Sequence, residues 1–254
     1  MKKLILTIFL LLIVSISFMS DFNKMSHDEV HDSFKKALAI FATAKGLNAA
    51  ISVAQGTEIG PIAIGEVLDP INDMIEQFSW IMIAALTSLG IQKILLYITA
   101  DFAFNIVVAS VIFIFIVMIW FKEKLDERYI LAFAKVVLIV LFARFAVPLN
   151  SYVKHKVYEH YISKTEFSIE KNSKSLDLST KKIEKISSKE PNSSWISTIK
   201  NFDLSKKINF LKQEVVSISD YIVNLIVVYI FETLFFPLIF LLLLYRLIKS
   251  SLIL

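Results

Sequence analysis

Apolar residues come in blocks along this chain, and the blocks set its plan. Residues 102–121, 129–149 and 221–244 are each long enough and apolar enough to cross a bilayer, which takes about 20 residues of helix. Trp120 sits at the end of the first, an interface position. Residues 4–18 form a shorter run behind Lys2 and Lys3, the pattern of a secretory signal peptide or an N-terminal anchor. Ser15 and Ser17 offer the small residues a signal peptidase reads, so cleavage and retention both fit. Residues 79–91 are apolar until Gln92 and Lys93 interrupt them; with residues 94–98 included, the segment either dips into the bilayer or crosses it.

The blocks between are polar but patterned. Residues 37–55 read as a helix in which Ala42, Gly46, Ala50 and Ala54 recur at every fourth position, a row that lets another backbone approach. Lys45 and Asn48 make this helix a poor span. Glycines and prolines in residues 56–70 demand turns, and Asp69-Pro70 is a good helix start. In the segment 150–220, Ile208, Leu211, Val215, Ile218, Ile222 and Leu225 alternate by three and four, a heptad seam that runs into the last span. Pro191 marks a break, which predicts a helical hairpin; residues 171–194, rich in Ser, Lys and Glu, are expected to be partly mobile.

The fold class is therefore all-α: a polytopic helical integral membrane protein with helical segments outside the bilayer. The regions are 1–20 (signal or anchor), 21–77 (extracytoplasmic helical segment), 78–149 (membrane region, with the dipping or spanning helix 79–98 and spans 102–121 and 129–149), 150–220 (hydrophilic hairpin) and 221–254 (final span and basic tail). Regions 21–77 and 150–220 are expected to pack on each other. The short loop 122–128 carries three basic residues (Lys122, Lys124 and Arg128), which places it in the cytoplasm and 150–220 outside, provided 79–98 does not cross. If 79–98 crosses, every later segment inverts.

Composition adds exclusions. The chain has 254 residues, 56% of them hydrophobic, a net charge of +4 and no cysteine. Thiol chemistry and disulfides are ruled out, and the small, interleaved charge gives no nucleic-acid signature. No catalytic triad, phosphate-binding loop or dinucleotide fingerprint assembles, so neither an enzyme nor a cofactor is implied. His27 and His31 share a helical face at a metal-site spacing, but the acid pattern around them is wrong for a zincin and no metal site is assigned.

What remains is charge inside apolar helices. Glu232, Lys135 and Arg144 are the candidates, each costing about 2.5–3.5 kcal/mol on insertion scales. The spans 129–149 and 221–244 run in opposite directions. Counted from their shared face, Glu232 lies about 17 Å deep, Lys135 about 21 Å and Arg144 about 8 Å. That predicts a structural Lys135–Glu232 pair, with Arg144 snorkelling to the interface as an anchor. Pro237 leaves the Thr233 carbonyl without its helical donor and is expected to kink the last span.

The run "LNAAISVAQGTEIG…GEVLDPINDMIEQFSWIMIAALTSLGIQKIL" (residues 47–95) and the tail "VVYIFETLFFPLIFLLLLYRLIK" resemble a group of bacterial inner-membrane proteins with no assigned function. The resemblance implies a multi-pass protein of the bacterial inner (plasma) membrane and carries no activity. The expected role is structural: a scaffold or complex subunit whose partners are the lipid bilayer and other membrane subunits or a second copy. The alternative is a transporter or channel component using Glu232, Lys135 and Arg144.

Overall fold

The computed structural model describes residues 2–55, 58–59, 62–187 and 204–250. Its helices are α1 (Lys2–Ser17), α2 (Ser20–Gln55), α3 (Ile64–Ala100), α4 (Phe102–Trp120), α5 (Glu127–Val157), α6 (Ile169–Ser187), α7 (Leu204–Ile230) and α8 (Phe236–Ser250). Between α2 and α3 lies a minimal hairpin of two-residue strands, β1 (Glu58–Ile59) and β2 (Ile62–Ala63). Every other regular element is helical. Among the described residues, five helical stretches are long and apolar enough to cross a membrane: Lys24–Gln55, Leu68–Ala100, Phe102–Trp120, Glu127–Ile162 and Asn209–Ile239. The chain is thus an all-α polytopic protein with the helices of an integral membrane protein.

Two of these stretches differ from the sequence reading. α3 runs unbroken through Gln92 and Lys93, so the segment 79–98 is part of one long helix, Ile64–Ala100. Asp69-Pro70 does not start that helix; it begins at Ile64 and carries Pro70 inside, while Asp69 accepts a hydrogen bond from Gln55 Nε2 (2.7 Å). The stretch Lys24–Gln55 counts as a candidate span despite Lys45 and Asn48, because a helix of 36 residues holds a long enough apolar window around them.

The chain divides into two compact units. The first comprises Met1–Phe34, Thr87–Val157 and Glu232–Leu254. In it α1 packs on α4, α4 on α5, and α5 on α8. Leu10, Val108, Ile112, Ile119 and Val137 form its apolar core, with Phe115 stacked on Phe133 at 6.3 Å. Asp101 is the N-cap of α4: its carboxylate accepts from Phe102 N (2.8 Å), which satisfies a donor the helix cannot. Trp120 Nε1 donates to Thr7 Oγ1 (3.3 Å), tying α4 to α1.

The second unit comprises Lys35–Leu86 and Tyr158–Phe231. Its buried positions follow a 3,4 alternation on each long helix. On α2 the stripe is Ala37, Ile40, Ala44, Leu47, Ile51 and Ala54, with Ala50 buried beside it; on α3 it is Leu68, Ile71, Ile75, Phe78, Met82 and Ala85, with Ser79 buried beside it. That spacing keeps one stripe facing a neighbour at a small crossing angle. On α7 the seam is as read: Leu211, Ile218, Ile222 and Leu225 are buried and Val215 is half-buried, while the side chain of Ile208 lies outside the described residues. This face packs on α6 through Ile169, Leu176 and Ile183. Asn172 pairs with Asn224 (3.3 Å) and Ser179 with Glu214 (2.9 Å), so the two helices are antiparallel, as a hairpin requires. Ile218→Val is expected to cost about 0.5–1.5 kcal/mol, read as a lowered midpoint in thermal unfolding. Residues 171–187 belong to regular α6, with its own buried positions, and not to a mobile stretch; Pro191 and residues 188–194 lie outside the described residues.

α6 is tied within this unit by Glu170. Its carboxylate accepts from Lys36 Nζ (2.7 Å) and from the Tyr158 hydroxyl. Partial burial pushes the Glu170 carboxyl upward, but the bonds from Lys36 and Tyr158 outweigh it and hold it below the usual 4.5. A carboxyl lowered on folding stabilises above its unfolded value, and that contribution is lost as pH falls through the folded one. Protection factors of the α6 amides, corrected for the intrinsic exchange rate at each pH, are expected to fall in the wild type as the Glu170 carboxylate is protonated. In Glu170→Gln that acid-dependent loss of protection is expected to be smaller.

Candidate functional site

The first unit holds two buried polar clusters. The larger centres on Glu232, which sits in a π-helical turn, Phe231–Phe235, at the entrance to α8. Pro237 explains the turn. It has no N–H for the carbonyl four residues back, so the ladder is interrupted at Thr233. The Ser88 hydroxyl donates to that carbonyl instead (3.1 Å). The expected kink is therefore a widened turn closed by a hydroxyl from α3.

Glu232 and Lys154 are 6% and 4% exposed, and their Oε2 and Nζ stand 3.6 Å apart, an ion pair longer than a hydrogen bond. Lys154 Nζ also donates to Ser33 Oγ (2.8 Å). One turn earlier on α5, Asn150 Nδ2 donates to Gln92 Oε1 (3.4 Å), and Gln92 Nε2 to Ser88 Oγ (3.4 Å). The polar groups thus form two short chains: the Thr233 carbonyl, Ser88, Gln92 and Asn150 in one, and Ser33, Lys154 and Glu232 in the other. The side-chain oxygens of Asn150 and Ser151 are buried and have no hydrogen-bond partner among the described residues.

The second cluster holds Arg144. It is fully buried. Its Nε donates to Ser17 Oγ (3.0 Å) and Asn105 Oδ1 (2.8 Å), and Nη2 donates to the Ser17 carbonyl (2.7 Å). Ser17 Oγ donates in turn to Asn105 Oδ1 (2.7 Å).

Two sequence expectations are corrected here. The cation beside Glu232 is Lys154, not Lys135. The depth count assumed that the span on α5 stops at Leu149, but the helix continues to Val157, carrying Pro148 inside it. With Lys154 level with Glu232, Lys135 lies 19 residues further along α5, about 28 Å away. Lys135 is half-buried and makes no ion pair among the described residues. Arg144 does not snorkel; it is the enclosed hub of a three-residue network that includes α1. From the sequence, Ser33, Ser88, Asn105, Asn150 and Lys154 carry no signal, and Ser17 and Gln92 stand out only as a small residue near a cleavage site and as an interruption of an apolar run. Polar residues scattered one per helix have no local pattern; only packing brings them together.

No protein-family model, curated protein or solved structure matches this chain. The site is therefore read from its own geometry. A groove of about 460 Å³ in the same unit is lined by Lys24, Met25, Asp28, Glu29, Asp32 and His155. His155 Nδ1 stands 3.0 Å from Glu29 Oε2, and His31 Nδ1 stands 3.2 Å from Lys93 Nζ. His27 lies against the Tyr97 ring at 4.8 Å. Among the described residues no group of three or more His, Cys, Asp or Glu is placed to hold a metal ion.

In the row of small residues on α2, Ala50 and Ala54 are buried in the second unit, and Ala42 is exposed. Gly46 is half-buried with nothing within 4 Å of a built Cβ. The row is split: its later half is used in the chain's own packing.

Proposed function

We propose that this protein is a structural subunit of the bacterial inner membrane, a helical scaffold in a larger complex and not an enzyme. The observation that carries this is the enclosure of Arg144. A guanidinium held by Ser17 and Asn105 with no exposed surface organises the protein and is in no position to meet a substrate. The resemblance of residues 47–95 and of the tail to inner-membrane proteins supports the location. The open part of the small-residue row, Ala42 and Gly46, is the surface we assign to a partner subunit or a second copy, with close helix–helix approach across small residues as the mode of contact. Cysteines placed at Ala42 and Gly46 test this by crosslinking in native membranes. A discrete crosslinked species is expected; only uncrosslinked monomer would contradict the scaffold role.

We further propose that α1 is retained as an anchor. Leu10 lies in the core, Thr7 meets Trp120, and Ser17 meets Arg144, so cleavage would strip a buried cation of two acceptors. Intact mass of the protein isolated from membranes should include residues before Ser17. In the same reading the loop 122–128 faces the cytoplasm and residues 158–187 face outward, which a phosphatase fusion after Thr165 checks.

The second reading, a transport or channel component, has one specific support: a buried ion pair in a π turn beside the unpartnered oxygens of Asn150 and Ser151.

A further inference from the structure

We propose that Glu232 is an exchangeable proton-binding carboxylate, with Lys154 as its counter-ion and the side-chain oxygens of Asn150 and Ser151 as a second seat for that lysine. The inference rests on the second reading above and goes beyond the scaffold role.

Three observations carry it. The pair is nearly sealed from solvent, yet at 3.6 Å it is not closed into a hydrogen bond; the shorter contact of Lys154 is to the neutral hydroxyl of Ser33, at 2.8 Å. Next, Asn150 and Ser151 precede Lys154 by four and three residues on α5, so they share its face, and helical side chains lean toward the N-terminus over that patch. Asn150 Oδ1 and Ser151 Oγ are both buried acceptors without a partner among the described residues, within reach of an ammonium that leaves Glu232. Last, the same unit carries an ionisable groove lined by chain neighbours of Ser33 and Lys154. Asp32 precedes Ser33, and His155 follows Lys154; both line it, with Asp28 and Glu29.

The proton balance is simple. A proton bonds to a Glu232 oxygen and the carboxylate becomes neutral. No other bond is made or broken, and the site gains one positive charge, which Lys154 carries. A buried ammonium without an anion is costly unless oxygen dipoles receive it. Ser33, Asn150 and Ser151 supply those dipoles. Loss of the proton restores the pair.

The charged and titratable neighbours do not all favour this equally. On α2, Asp28, Glu29 and Asp32 offset the added charge, while Lys24 opposes it and His31 stands against Lys93. On α3, Lys93 opposes it, with Tyr97 beyond. On α5, His155 and Lys156 flank Lys154; on α8, Arg246 and Lys249 are exposed at the far end.

The test uses the full chain in lipid nanodiscs and a hydrophobic carbodiimide, which modifies protonated carboxyls in water-poor sites. Labelling is mapped by mass spectrometry from about pH 5 to about pH 8. Labelling at Glu232 is expected to rise by about tenfold or more toward the acid end. Lys154→Gln should bring labelling at the alkaline end up to the acid level, because the counter-ion is gone. The Asn150→Leu/Ser151→Ala double variant should lower the acid-end labelling, because protonation then strands the lysine. Flat labelling of Glu232 in the wild type, or alkaline-end labelling left unchanged by Lys154→Gln, would make the pair a fixed lock and overturn the proposal. Suppression of labelling by sodium, relative to choline at the same pH, would also overturn it, by assigning the carboxylate to a metal cation. Neither result depends on whether α2 finds a partner, so the scaffold reading stands or falls separately.

Discussion

Glu232→Gln is expected to destabilise the folded chain by about 3 kcal/mol, at the lower end of what breaking a buried pair costs. The substitution keeps the size of the side chain and removes its charge. Lys154, 4% exposed, then has no carboxylate within reach. The loss falls at the low end because Ser33 Oγ already accepts from Lys154, and the oxygens of Asn150 and Ser151 lie one turn away. Lys154→Met should cost less, about 1–2 kcal/mol, because a stranded carboxyl can take up a proton and become neutral. Thermal unfolding in a fixed lipid composition reads both. Lys135→Met, by contrast, should leave the midpoint nearly unchanged, since that lysine is far along α5 from Glu232.

Asn105→Leu is expected to cost a similar amount, about 3 kcal/mol. One oxygen, Asn105 Oδ1, accepts from both Arg144 Nε (2.8 Å) and Ser17 Oγ (2.7 Å). A hydrogen bond to a charged group contributes about 1.5–3 kcal/mol, and leucine fills the volume without replacing the acceptor. The guanidinium keeps its bonds to Ser17 but loses this acceptor. Arg144→Lys should not rescue it, because a point ammonium cannot reproduce a planar fork that reaches Asn105 Oδ1, Ser17 Oγ and the Ser17 carbonyl together. If Arg144 were an interfacial anchor, Arg144→Lys would be tolerated, since both side chains snorkel. Unfolding midpoints of the two variants separate these accounts.

These residues also show what the sequence could and could not convey. The apolar blocks and their helical class are legible, because a bilayer demands length and hydropathy and little else. The seam on α7 is legible for the same kind of reason: a period of 3.5 is a local pattern. The same period marks Ala37 to Ala54 on α2 and Leu68 to Ala85 on α3, and attention to the fourth-residue row at Ala42, Gly46, Ala50 and Ala54 obscured it. Alanine appears in both patterns, so composition alone did not choose between them. Glu232 is conspicuous as a charge in an apolar run, but its partner is not. Lys154 lies in "NSYVKHKV", which reads as the polar end of a helix, and Pro148 reads as its terminator. Proline is tolerated within membrane helices, and this helix runs on to Val157. A shift of one and a half turns in the assumed end of a span was enough to exchange one lysine for another. Arg144 illustrates the other limit: its acceptors, Ser17 and Asn105, are ordinary residues on two other helices.

The central claim is that Glu232 and Lys154 are energetically one unit. A double-mutant cycle with Glu232→Gln, Lys154→Met and the combined variant, scored by unfolding midpoint in nanodiscs, tests it most directly. The account predicts that the combined variant lies within about 1 kcal/mol of the wild type, well above the sum of the single losses, because removing both charges removes the stranded one. Single losses that simply add would contradict it, and so would rescue of Glu232→Gln by Lys135→Met.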